Sequence, residues 1–243
     1  MATLYPVAGC RYYIGPAMEL PDVDVTEADF ASVVWTEVKN YMEAGSLGDA
    51  AALITTPLID RGRDVKQKGT RNAPSRQDNF AVSATDAGQI AMLAAERTDY
   101  NYPFRVDLND DPIVKSSVVT MTIAAPGVIT WANHGLSAGT PIKFTTTGAL
   151  PTGLTAGTTY YVAAAGLTTG AFSVSATPGG AAITTTGTQS GVHTASTVPV
   201  PSKRYFVGLV AGATEGFGGP NNVRQLQCTV EVNSNTVRVA PLG

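Results

Sequence analysis

The chain has 243 residues, a formal net charge of −3, a charged fraction of only 14% and an ordinary apolar fraction of 44%. This length predicts one large or two modest domains with a real core, and the abundant Gly, Thr and Ala favour an ordered β-rich chain over disorder or coiled coil. No apolar run approaches the roughly 18 residues of a membrane span, and the net negative charge argues against nucleic-acid binding through a basic patch.

The start, MATLYPVAGCRYYIG, lacks a basic region followed by an apolar core, so no secretory leader and a soluble chain are expected. Arg11-Tyr12-Tyr13-Ile14 reads as a short strand that ends at Gly15-Pro16. An acidic loop follows over 19–29. Val34, Thr36 and Val38 alternate with Trp35, Glu37 and Lys39, which predicts a strand over 31–39. Residues 40–57 are Gly- and Ala-rich without a clean period, which points to a long loop, and such loops are usually functional or disordered. A charged strand is expected over 58–66, and turn and loop over 71–79.

The clearest helix signal lies after Phe80-Ala81-Val82. Ser83, Thr85 or Asp86 can cap it, and Asp86-x-x-Gln89 has the form of a capping pair. Ile90, Leu93, Ala94 and Arg97 fall at helical spacing. The period then changes to two, and Phe104, Val106 and Leu108 alternate with Arg105, Asp107 and Asn109 as in a half-buried strand. A strand of the same character returns only at 203–210.

Between Pro112 and Ser202 none of the 19 acidic residues occurs. Short strand candidates recur there at 118–124, 127–131, 141–145, 159–163, 171–175 and 182–186, separated by Gly/Pro turns. Trp131, Phe144, Tyr160, Tyr161, Leu167 and Phe172 supply a core for a small all-β domain, as opposed to a Thr/Gly linker. The matched strands on either side would form an ordinary hairpin if joined, so the domain reads as an insertion in its tip. The expected divisions are 1–115, 116–200 and 201–243. Toward the end, Leu226, Cys228, Val230 and Val232 alternate with Gln225, Gln227, Thr229, Glu231 and Asn233. Asn233-Ser234-Asn235 would turn the chain into a last strand at 236–239.

No catalytic, cofactor or metal site is expected. His134 and His193 lie in the charge-poor insert without a carboxylate to orient them. Asp107-x-Asn109-Asp110-Asp111 lacks the Gly and closing Glu of a calcium loop and reads as a solvated hairpin end. Gly212 to Pro220 lacks phosphate-loop spacing and reads as a flexible turn, and Cys10 and Cys228 suit either two buried thiols or a bridge between the chain's ends. Arg61, Arg63, Lys66, Lys68, Arg71 and Arg76 form a basic run that Asp60, Asp64 and Asp78 interrupt, so it reads as a solvated face or a protein interface. Those charges have a natural partner in the acidic loop of a neighbouring copy.

Lys68-Gly69-Thr70-Arg71-Asn72, then Asp86-Ala87-Gly88-Gln89 leading to Leu93, within this order of strands, resemble the major tail protein, or tail tube protein, of long-tailed bacteriophages with non-contractile tails. The resemblance covers about 1–115 and 203–243. Separately, Asn133-His134-Gly135-Leu136-Ser137-Ala138-Gly139-Thr140, Gly148-Ala149-Leu150-Pro151 and Thr158-Thr159-Tyr160-Tyr161-Val162 resemble a small β module of phage virion proteins. What the resemblance implies is a mainly β fold, a sandwich or barrel core with one flanking helix, and no enzyme. Six copies would close into a ring, and rings would stack into the tail tube, the conduit for DNA during ejection into the host. Its partners would be further copies of itself, the tape measure, tail tip and terminator proteins, and DNA passing without specific binding, with no membrane. The protein would be made in the bacterial cytoplasm and reside in the virion. Gln225, Gln227, Thr229 and Glu231 would suit the lumen wall, although an ordinary solvent face explains them equally. Asp49, Arg61, Arg63, Asp64, Lys66, Lys68 and Arg71 would contact adjacent subunits or the next ring, and the insert would project outward. Other readings are a different tail or neck component, such as a terminator or decoration protein, and a glycan-binding adhesion protein whose exposed Trp131, Tyr160 and Tyr161 form a stacking platform.

Overall fold

The computed structural model describes residues 4–242. Residues 1–3 and 243, parts of the start read above for a leader and of the expected closing segment, lie outside the described residues. The strands are β1 (Arg11–Ile14), β2 (Thr36–Val38), β3 (Tyr41–Glu43), β4 (Ala50–Thr56), β5 (Val65–Asn72) and β6 (Arg76–Ala81), followed by helix α1 (Ala87–Glu96) and β7 (Asn101–Asp107). Then come β8 (Ser116–Met121), β9 (Ile129–Thr130), β10 (Pro141–Thr146), β11 (Thr159–Val162), β12 (Ala171–Phe172), β13 (Val174–Ser175) and β14 (His193–Thr197). The last three are β15 (Lys203–Gly216), β16 (Gln225–Val232) and β17 (Val237–Val239). The fold is mainly β, with two compact units.

The first unit takes the chain up to Asn109 and Lys203–Val239. Its main sheet runs β2-β1-β7-β15-β16-β6-β3, antiparallel throughout. The two outermost strands, β2 and β3, are consecutive in the chain, and Asn40 turns the corner between them with a φ of 62°. One face of the sheet buries Tyr12, Ile14, Phe80, Phe104, Phe206 and Val230 together with Met92 and Ala95 of α1. Over the other face of β15, the segment after β1 lays Val25 and Phe30 against Tyr205 and Val207, with Phe30 stacked on Tyr205 at 4.9 Å. A bulge at Ala211 resets the alternation of β15. Residues of β17 continue along the edge of β15 already used by β16, so 233–236 form an interruption in one long strand and not the chain reversal expected there.

The Asp86-x-x-Gln89 motif does more than cap. Asp86 Oδ1 accepts the Gln89 N–H at 2.9 Å and the Lys39 N–H at 3.3 Å. Gln89 does not reach back to the cap backbone: its amide donates to the Lys39 and Ala81 carbonyls and accepts the Ser83 N–H. Two side chains of the first helical turn thus tie the β2–β3 corner to the end of β6. The buried stripe of α1 is Gly88, Gln89, Met92 and Ala95, and Ile90, expected inward, is 52% exposed. The stripe is set by the approach of Gly88 to β2, where an added Cβ would collide with the Glu37 carbonyl.

Other expectations near the N-terminus are corrected. The acidic stretch holds a short 3-10 turn, Glu27–Phe30, capped reciprocally by Thr26 and Asp29, and the strand expected over 31–39 is confined to β2. Residues 40–57 contain β3 and β4 rather than one loop; 58–64 is a turn; and 71–79 includes the end of β5 and most of β6. Strand β4 is exposed on both faces, so nothing imposes an alternation on its sequence.

The second unit takes Asp110–Ser202 and the tail after Val239. Its sheet runs β12-β9-β8-β14-β10-β11-β13, and its outermost strands flank the single residue Ser173, so the barrel is nearly closed. Ile129, Trp131, Ile142, Phe144, Val162 and Phe172 fill it. Asp110 Oδ1 accepts the Ser202 N–H at 2.8 Å, holding the two ends of the unit together. Against the expected limits of 116 and 200, the unit begins earlier and ends later. Leu242 pairs with Val200, so the chain's last described residues belong to this unit and not to the core. Strand β14 had no signal because His193-Thr194-Ala195-Ser196-Thr197 offers little apolar bulk, and 182–186 makes only isolated bridges.

Candidate assembly surface

Among the described residues no cluster of His, Cys, Asp or Glu could hold a metal ion. The histidines serve the second unit's packing. His134 is buried, its Nδ1 accepts the Leu136 N–H at 2.9 Å, and its ring stands edge-on to Phe172. His193 is buried and shares a hydrogen bond with the Thr146 hydroxyl. Trp131 and Tyr160 are core residues at 7% and 6% exposure, which takes both out of any stacking platform. No described helix is long and apolar enough to cross a membrane.

The feature that stands out is the hairpin of β4 and β5, a two-stranded sheet of its own. Every residue of β4 is exposed, including Leu53 and Ile54, and Ile59 in the turn is fully exposed. A lone ribbon of this kind is marginal in water, and its apolar side chains gain nothing from it. The register pairs Thr55 with Lys66, Leu53 with Lys68 and Ala51 with Arg71, so these share one face, while Ile54 pairs with Gln67 on the other. The sequence-predicted contact residues all fall here. Asp49 stands at the root, Arg61, Arg63 and Asp64 in the turn, and Lys66, Lys68 and Arg71 along β5; none makes an ion pair with another described residue.

The root of this arm is fixed by a buried charge pair. Arg76 and Asp78, read from sequence as solvated, point inward from β6 at 3% and 0% exposure. Asp78 accepts Arg76 Nε at 2.7 Å and Nη2 at 2.8 Å, the Tyr41 hydroxyl and, at 2.9 Å, the Gly45 N–H. Arg76 also lies over the Tyr12 and Phe206 rings. With both carboxylate oxygens satisfied, the charge survives in the core, and Gly45 is held where an added Cβ would strike the Gln77 carbonyl. Burial works against the Arg76 charge, but Asp78 and the two tyrosines outweigh it and its pKa lies above the ordinary arginine value. Burial, then Asp78, raises the Tyr41 hydroxyl, and the same two causes push the Cys228 thiol up to about 12. Cys10 and Cys228 are both free, Cys10 partly exposed.

A third surface is the uncovered face of β16. Gln225, Gln227, Thr229 and Glu231 do share it, opposite buried Leu226, Cys228, Val230 and Val232. The register sets Gln77 beside Thr229, Asn79 beside Gln227 and Thr214 on their other side. Asn79 donates to Glu43 at 2.8 Å and Ser75 to Glu231 at 2.6 Å. Amides, hydroxyls and two carboxylates thus form a patch without a lysine or arginine among these residues. Sequence alone did not join Gln77 and Asn79 to it, because the alternation Arg76, Asp78, Phe80 hides an inward face behind two charged residues. At the former hairpin end, Asp107 lies 3.0 Å from Arg105; burial raises its pKa, and Arg105 and Lys203 offset this only in part.

No protein-family model and no curated protein matches this chain.

Proposed function

We propose that this chain is a structural virion protein that assembles with copies of itself into stacked hexameric rings, forming the tail tube of a long-tailed bacteriophage and the conduit for its DNA. The observation that carries this reading is the exposed arm of β4 and β5. A ribbon with Leu53, Ile54 and Ile59 in water, and cations without partners, is stabilised only when another surface covers it. The cation-free patch on β16 and β6 supports the same reading. Phosphates bind lysine and arginine through counterion release, so a wall of Gln, Asn, Thr and Glu lets DNA slide without holding it. The resemblance of Lys68-Gly69-Thr70-Arg71-Asn72 and Asp86-Ala87-Gly88-Gln89 to tail tube proteins points the same way. Electron microscopy of the purified chain, with sedimentation over a range of concentrations, tests the proposal. Hollow tubes built of six-fold rings are expected. A chain that stays monomeric at high concentration overturns it.

A further inference from the structure

The basic face of the arm does not look into open solvent along its whole length. Near the root it lines a cleft of about 480 Å³, with Ala51, Leu53, Lys68 and Arg71 on one side and Thr236 and Arg238 on the other. Lys68, Arg71 and Arg238 make no ion pair or side-chain hydrogen bond with any described residue. The only acid lining the cleft is Asp49. Thr236 lines the cleft, and its hydroxyl has no hydrogen-bond partner among the described residues. Cations around an apolar floor, with an unsatisfied hydroxyl, call for an acidic segment that also carries exposed apolar side chains.

Segment 19–24 has this character with three acids; 110–114 also carries exposed Asp111, Ile113 and Val114, but its Asp110 is held by the Ser202 N–H. Residues 19–24 read Glu-Leu-Pro-Asp-Val-Asp; Glu19, Asp22 and Asp24 are exposed, as are Leu20 at 40% and Val23 at 76%. Asp29 is committed to Thr26, but these three acids make no ion pair among the described residues. In the same chain Asp24 reaches only an adjoining cleft, which shares Asp49 and Arg71, and no pair closes there. We propose that the cleft receives segment 19–24 of a second copy, its carboxylates among Lys68, Arg71 and Arg238 and its apolar side chains against Leu53. Donor and receiver are different patches of one chain, so repeating the contact head to tail builds rings or filaments. This inference rests on the self-assembly reading and names the pairing within it.

The test compares the full chain with Lys68→Glu/Arg238→Glu, with Glu19→Lys/Asp22→Lys and with all four together, Asp24 being left because it borders its own chain's cleft. All four positions are exposed, and thermal melts check that each variant is folded. Each pair of reversals is expected to raise the critical concentration for assembly about tenfold or more, through like-charge contact, and the four-substitution chain to return toward the wild type. Wild-type assembly untouched by Glu19→Lys/Asp22→Lys, or no recovery in the combined variant, overturns the pairing while leaving self-assembly standing. A monomeric wild type overturns both. If Lys68→Glu/Arg238→Glu instead abolishes binding of a short single-stranded oligonucleotide and leaves assembly unchanged, the cleft is a phosphate site and the pairing is wrong.

Discussion

At the scale of single residues, the Arg76–Asp78 pair decides how the arm leaves the core. Removing one partner strands the other, so Asp78→Ala is expected to cost about 3–5 kcal/mol in urea unfolding. Replacing both, as in Arg76→Met/Asp78→Leu, is expected to recover part of that loss, because an apolar pair carries no desolvation penalty while the Tyr41 hydroxyl and the Gly45 N–H lose their acceptor. Recovered stability without recovered assembly would separate the pair's role in placing Gly45 from its role in the core. The neighbouring thiol makes a second case. Cys228 is raised from its ordinary 9.0 to about 12, so the folded chain holds a proton that the unfolded chain releases between those values. Stability therefore falls as pH rises through that window, and buried Tyr12 and Tyr41, raised from their ordinary 10.0, add to the fall from about pH 10 upward. Melting temperatures above pH 9 should decline less steeply in Cys228→Val than in the wild type. In native buffer a thiol reagent should titrate Cys10 quickly and Cys228 only after denaturation.

At the scale of elements, α1 and the arm behave oppositely. Alanine in place of glycine within a helix normally gains about 1 kcal/mol. At Gly88 the added carbon meets the backbone of β2, with Val38 Cα at 2.5 Å, so Gly88→Ala is expected to lose a net 1–3 kcal/mol, roughly the cost of overpacking, in chemical denaturation. The arm contributes no residue to the buried apolar core, which passes from Val38 to Ala73. Replacing 51–71 by a short turn should therefore leave the melting temperature within a few degrees while abolishing assembly by sedimentation. A collapse of the fold would show that the arm is a structural element and not an assembly device.

At the scale of the whole molecule, the chain is one β unit interrupted by another. Phe104 faces Phe206 and Asp107 faces Lys203 across β7 and β15, which is the register of a continuous hairpin. Replacing 110–202 by a tight turn should give a chain that unfolds in a single cooperative transition and retains assembly. Its failure to fold would mean that the inserted barrel supplies stability to the core. The isolated barrel, with its own buried cluster and its ends held by Asp110 and Ser202, should fold when expressed alone, as amide exchange would show.

By itself the sequence determined what periodicity can encode: the helix after Asp86, the alternations of β7 and β16, and the charge desert of 113–201. Each of these has one face in a core, and a core imposes period two or 3.6 on the residues that line it. The composition was enough to tell one unit from the other, because a barrel of Thr, Gly and Ala needs few charges. Only the tertiary structure decided the rest. The arm carries no period because neither of its faces is buried, so Leu53 and Ile54 read as loop. Arg76 and Asp78 read as solvated because their partners, Tyr41 and Gly45, are more than thirty positions away. The cleft joins β5 to Arg238 and Thr236 from the far end of the chain, a proximity that only the tertiary fold creates and that is invisible to any local pattern.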